Sequence, residues 1–206
     1  MNQGQCVRDI GGNLGVFSFL AAHRVGEGGH VVAVEADPFL ASLIQRSVLL
    51  SNIRDRRIDV LCAAIANRSG VSQFPVAEPG RSSSSLEKPE HRSQAGDTKC
   101  SWCILKIALN PILGSFPKPD LPKVGVEGVE LMALKGGSRL LKEARSRICI
   151  EVGDGQKTGV TALVKTAGYA LCSGSVRLNS WVPVSECVFN TLPVPSEQDC
   201  QTLHAA

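Results

Sequence analysis

The run Asp9-Ile-Gly-Gly-Asn-Leu-Gly15, with Glu35 twenty residues beyond it, constrains the fold of this chain more than any other feature. A strand-like stretch leads into Asp9 and Ile10, a glycine-bearing turn follows, and Leu14 to Val25 carry apolar residues at helical spacing. A second strand-like run, His30-Val-Val-Ala-Val, is closed by Glu35. In that order these pieces form the nucleoside-holding edge of an α/β sheet. Glycines let the backbone come close to a ligand, and an acid at the next strand end accepts the two ribose hydroxyls.

The spacing selects among nucleosides. A dinucleotide fingerprint reads G-x-G-x-x-G, which makes room for a pyrophosphate. Here the glycines are Gly11, Gly12 and Gly15, Asn13 sits in the turn and Asp9 precedes it, so no frame gives that pattern. An acid before the turn repels a pyrophosphate, yet it suits a cofactor carrying an ammonium and a sulfonium. The pattern D-x-G-x-N-x-G therefore favours S-adenosylmethionine, with NAD as the weaker alternative.

Composition narrows the setting. A length of 206 residues suits one α/β domain spanning 1–206 with a sizeable core. A net charge of +3, with no long Lys/Arg run, argues against a nucleic-acid partner, and 4% aromatics argue against stacking platforms for single strands. The apolar runs are too short to span a membrane, and the first residues lack the apolar core of a secretory signal. A cytoplasmic protein without a membrane partner is expected. Of the eight cysteines, Cys6, Cys62, Cys149, Cys172 and Cys187 lie in or beside apolar runs, as small buried hydrophobes do. Cys100-Ser-Trp-Cys103 has neither a second pair nor a histidine at ligand spacing, so no metal site is expected. His23, His30, His91 and His204 have no evident partner and are read as solvated.

Strands and helices alternate along the chain, which implies a parallel sheet with right-handed crossovers. After Glu35, Asp37-Pro38 opens a second amphipathic helix carrying Leu40, Leu43, Ile44 and Val48, and Ile58 to Ile65 reads as the third strand. Residues 75–118 read as an irregular, loop- or lid-like insertion, with a polar tract from Pro75 to Asp97. Within it, Ser101 to Leu109 could form a strand, and Pro111, Pro117, Pro119 and Pro122 interrupt the stretch beyond it. Regularity returns with a strand over Asp120 to Val126, an amphipathic helix over Gly128 to Lys142, and a buried strand over Arg147 to Val152 that ends in Glu151. A helix from about Gln156 to Ala167 and closing strands at Tyr169 to Cys172 and Cys187 to Leu192 complete the reading.

Several blocks, in order, resemble the FkbM family of S-adenosylmethionine-dependent methyltransferases. They are Asp9-Ile-Gly-Gly-Asn-Leu-Gly-Val-Phe-Ser18, Val32-Ala-Val-Glu-Ala-Asp-Pro38, Ala63-Ala-Ile-Ala-Asn-Arg-Ser-Gly70, Val126-Glu-Gly-Val-Glu-Leu131 with Leu134-Lys-Gly-Gly137, and Phe189-Asn-Thr-Leu-Pro-Val-Pro195. The resemblance implies a class I methyltransferase (Rossmann-like) fold: a seven-stranded, mostly parallel sheet with helices on both faces and an antiparallel last strand. It implies O-methylation of a small molecule or glycan. It also places Asp9, Gly11, Asn13 and Gly15 along the methionine end of the cofactor, Glu35 on the ribose, and Asp37 with Ala64 near the adenosine. Oligomeric state and the identity of the acceptor are not legible.

One departure bears on catalysis. The family motif reads Lys-Ile-Asp-Val-Glu-Gly, and this chain has Lys123-Val-Gly-Val-Glu-Gly128. Gly125 thus stands where the family carries an aspartate, at a carboxyl strand end where ligands bind and where an acid could accept the proton of an attacking hydroxyl. Glu127 is the best remaining candidate for that role and Glu130 a weaker one. For both, the alternative is an acid stabilising the start of the following helix. A non-catalytic, cofactor-binding domain of the same fold is the competing expectation.

Overall fold

A computed structural model describes residues 1–50, 57–76, 100–174 and 182–198. Its elements in chain order are β1 (Cys6–Ile10), α1 (Val16–Val25), β2 (His30–Glu35), α2 (Pro38–Leu50), β3 (Arg57–Cys62), β4 (Ala64–Ile65), β5 (Gly70–Val76) and β6 (Cys100–Ile107). There follow α3 (Leu109–Ser115), β7 (Leu121–Val124), α4 (Glu130–Lys135), a π-helical turn (Leu140–Ala144), β8 (Cys149–Glu151), a 3-10 turn (Asp154–Gln156), α5 (Lys157–Thr166), β9 (Tyr169–Ser173), β10 (Val182–Pro183) and β11 (Asn190–Pro195).

The main sheet has the order β10-β9-β11-β8-β7-β1-β2-β3. Strands β8, β7, β1, β2 and β3 are mutually parallel, and β11 runs antiparallel to both β8 and β9. Chain order therefore reverses between β1 and β7, where β1 is followed on one side by β2 and on the other by β7. Such a switch point opens a crevice at the carboxyl strand ends. Among the described residues, eight strands stand where seven were expected, because the two-residue β10 pairs onto the edge of β9.

Alternation along β1 and β2 covers both faces of the sheet. Val7 and Val31 pack with Ala21, Ala22 and Val25 of α1. Ile10, Val32 and Val34 join the larger cluster, which takes in Ile112, Leu134, Leu140, Leu141 and Val160.

Three expectations are corrected by the structure. Ile58 to Ile65 is not one strand: it divides at Ala63, and β4 leaves the main sheet to join a smaller one of order β4-β6-β5. Residues 100–118 are not irregular: β6 pairs with β5 over most of its length, and α3 comes after it. Pro111 is tolerated in α3 because it lies in the first turn, where backbone N–H groups have no intrahelical partner. Residues 77–99, with most of the polar tract and His91, lie outside the described residues, as does His204. The helix expected over Gly128 to Lys142 is interrupted at Gly136-Gly137, a poor helix-forming pair, and resumes as the π-helical turn.

His30 is buried rather than solvated. Its Nε2 lies 2.6 Å from Asp59 Oδ2, and Phe116 packs against its ring with centroids 5.9 Å apart. This cluster sits at the amino end of β2, away from the crevice. Among the described residues, no helix is long and apolar enough to cross a membrane.

Candidate active site at the carboxyl edge of the sheet

The glycine turn is built by contacts to two neighbouring strands. Gly11 and Gly12 donate their N–H groups to the Val34 carbonyl at 2.9 and 3.1 Å, and Gly125 donates to the Ile10 carbonyl at 2.8 Å. Gly11 has φ +82, and a side chain there would collide with the Gly125 carbonyl, so glycine answers both demands. The exits of β1 and β7 consequently meet backbone to backbone.

Glu35 ties this turn to the start of α2. One carboxylate oxygen accepts the Asn13 N–H at 2.7 Å and the other accepts the Asp37 N–H at 2.8 Å. Burial pushes the Glu35 carboxyl above its ordinary range, against the pull of these N–H groups. Asp37 caps α2, its Oδ1 accepting from Phe39 N–H at 2.8 Å and more distantly from Leu40 N–H at 3.4 Å. Pro38 then begins the helix with the φ that a first turn needs.

Asp9 lies beneath the turn, fully buried. Its Oδ2 accepts the Ser18 hydroxyl at 2.6 Å, and its Oδ1 lies 3.7 Å from Lys123 Nζ. The two residues are register partners on adjacent parallel strands, which brings their side chains together. Lys123 Nζ also donates to the Gly11 carbonyl at 3.1 Å. Burial raises the Asp9 carboxyl above its usual range, while Lys123 and the Ser18 hydroxyl pull it down.

Above these groups opens a cavity of about 280 Å³. Of the expected cofactor contacts, Gly11, Asn13, Glu35, Asp37 and Ala64 line it, together with Gly125 and Glu127. Asp9 and Gly15 do not. Asp9 is covered by the turn it supports. Gly15, at φ +81, starts α1 with its Cα facing Ile44 and Phe19, so its role is to shape the turn. The lining includes the apolar Leu40, Ala64, Ile65 and Phe74 and the charged Lys123, Glu127 and Glu151, with the tips of Lys123 and Glu151 close to Gly125.

Three charged or aromatic lining residues escaped the sequence reading. Lys123 and Glu151 stand at the carboxyl ends of β7 and β8, where the switch-point rule would have directed attention. Phe74 arrives from the small sheet, which no local pattern announces. Conversely, Glu130 is buried and its carboxylate accepts the Gly128 N–H at 2.8 Å, which makes it a helix-start residue.

Residues 9–171 match the Methyltransferase FkbM domain. The chain belongs to the FkbM methyltransferase family. No curated protein matches its sequence. A solved FkbM methyltransferase from Methylobacillus flagellatus KT superimposes on this FkbM domain with a TM-score of 0.61 at 17% identity, over 92% of the present chain and 43% of the other. The precorrin-6y C5,15-methyltransferase of Geobacter metallireducens GS-15 gives 0.55 at 15% identity, covering 95% and 82% of the two chains. A SAM-dependent O-methyltransferase from Thermotoga maritima gives 0.51 at 12%, covering 96% and 62%. The fold is that of class I methyltransferases, an α/β sandwich around a mostly parallel sheet. The present chain spans less than half the length of the Methylobacillus protein.

Proposed function

We propose that this FkbM domain binds S-adenosylmethionine in the switch-point cavity and methylates a hydroxyl of a small molecule or glycan. The observation that carries the reading is the convergence of Gly11, Asn13, Glu35, Asp37 and Ala64 on one cavity at the carboxyl strand ends. The residues fit the group. Glu35 keeps acceptor capacity for a ribose diol after its two backbone bonds, since a carboxylate has about four acceptor positions. Leu40, Ile65 and Phe74 offer an apolar slot for a base, and the acids around the cavity suit a ligand with cationic groups.

Bound there, S-adenosylmethionine supplies an electrophilic methyl group, and its transfer to an oxygen leaves a neutral thioether. The protein contributes alignment of the acceptor and a place for the acceptor's proton. Glu127, exposed at the cavity rim, is the carboxylate assigned to receive that proton. Calorimetry with S-adenosylhomocysteine tests the reading, with saturable one-to-one binding expected. No heat at millimolar ligand would exclude it, as would binding of NADH in its place.

A second reading, a cofactor-binding domain without turnover, is favoured by Gly125. An aspartate there meets no backbone obstacle, because Gly125 does not use the left-handed region. Its Cβ would displace the flexible tip of Lys123 and stand 3.1 Å from Glu151 Oε2. Gly125→Asp should therefore fold, and in a screen of hydroxylated acceptors it should turn over where the parent does not. Methyl transfer by the unmodified chain rules the second reading out.

A further inference from the structure

The charges around the cavity are unbalanced. Glu35, Asp37, Glu127 and Glu151 are its acids, and Lys123 is the one lysine or arginine among its described lining residues. A ligand with a free amino-acid tail brings both an ammonium and a carboxylate. The ammonium has several acids to choose from. Among the charged groups of the described lining, only Lys123 attracts the carboxylate.

Lys123 is placed to take it. Its amine hydrogen-bonds the carbonyl of Gly11, so it lies at the glycine turn rather than at the apolar slot. The absence of a side chain at Gly125 leaves the space into which the amine extends. An ammonium has three protons to donate. One goes to Gly11, and Asp9 Oδ1 lies at 3.7 Å, beyond hydrogen-bond reach. The side chain is 15% exposed, toward the cavity it lines.

We infer that Lys123 is the carboxylate anchor of the methionine moiety, and so a specificity residue that makes this cavity prefer a zwitterionic tail. The inference rests on the cofactor reading proposed above. It also links the departure at Gly125 to ligand recognition, since an aspartate at that position would claim the same amine.

The test compares S-adenosylhomocysteine with its decarboxylated form, which keeps the ammonium and lacks only the carboxylate. A cavity governed by its acids alone would bind the decarboxylated, net cationic ligand as tightly or more tightly. With Lys123 as anchor, the parent protein binds S-adenosylhomocysteine about tenfold to hundredfold tighter, the range of one charge-assisted hydrogen bond. Lys123→Met should lose that preference, and Lys123→Arg should keep most of it. If Lys123→Met does not fold, Lys123→Gln, which keeps a polar tip without the charge, takes its place and should lose the preference in the same way. Equal or tighter binding of the decarboxylated ligand by the parent overturns the inference, as does a Lys123→Met protein that still discriminates. Binding of neither ligand by the parent instead removes the cofactor reading, and the inference with it.

Discussion

Glu35→Ala should lower the affinity for S-adenosylhomocysteine by at least about a hundredfold. Two charge-assisted hydrogen bonds to a ribose diol, at roughly 1.5 kcal/mol or more each, already account for that factor. The substitution also leaves the Asn13 and Asp37 N–H groups without their acceptor, so the turn and the start of α2 lose a shared anchor. Glu35→Gln should be almost as damaging. Both carboxylate oxygens face backbone donors, and an amide must turn an NH2 toward one of them. A Glu35→Gln protein that binds as tightly as the parent would remove Glu35 from the ribose.

The pH dependence of that binding has a definite sign. Burial raises the Glu35 carboxyl, so the ligand-free protein holds its proton to higher pH than an unfolded chain does. Ligand-free stability from this group is present below the unfolded value and is lost as pH rises through the raised one. Ribose hydroxyls favour the ionised form, so affinity runs the other way. On acidification it should begin to fall above the ordinary glutamate value of about 4.3. Titration calorimetry between pH 4 and 8 would reveal the opposite trend if Glu35 binds in its neutral form.

The site was more legible than the sheet around it, for a physical reason. Asp9 to Gly15, Glu35 and Asp37-Pro38 signal locally: the glycine supplies a φ that other residues resist, and the acid and proline are a cap and a first turn. The division of Ile58 to Ile65 has no such signal. Both halves are apolar, and only the pairing of Ala64 and Ile65 with Lys106 and Ile107 draws the second half away. The register that sets Lys123 opposite Asp9 likewise exists only once β7 docks beside β1. His30 misled because its partners, Asp59 and Phe116, come from distant parts of the chain.

Asp9 separates support of the turn from contact with the ligand. Asp9→Ala should destabilise the protein by about 3 kcal/mol, a large share of a typical domain's stability, because it strips a buried acceptor from Ser18 and the counter-charge from Lys123. Asp9→Asn keeps an acceptor for the Ser18 hydroxyl and removes a charge whose burial is costly, so it should lose far less. The Asp9 carboxyl is raised by burial; its contribution to stability is full below the unfolded value of about 3.9 and is lost as pH rises through the folded one. Urea unfolding at pH 4 and pH 8, which brackets the rise from the unfolded value, should therefore show a smaller decline with pH for Asp9→Asn than for the parent. Because Asp9 is covered by the turn and does not line the cavity, Asp9→Asn should also bind S-adenosylhomocysteine within a few-fold of the parent. A folded Asp9→Asn protein that loses binding as completely as Glu35→Ala would instead place the Asp9 charge in direct service of the ligand's ammonium.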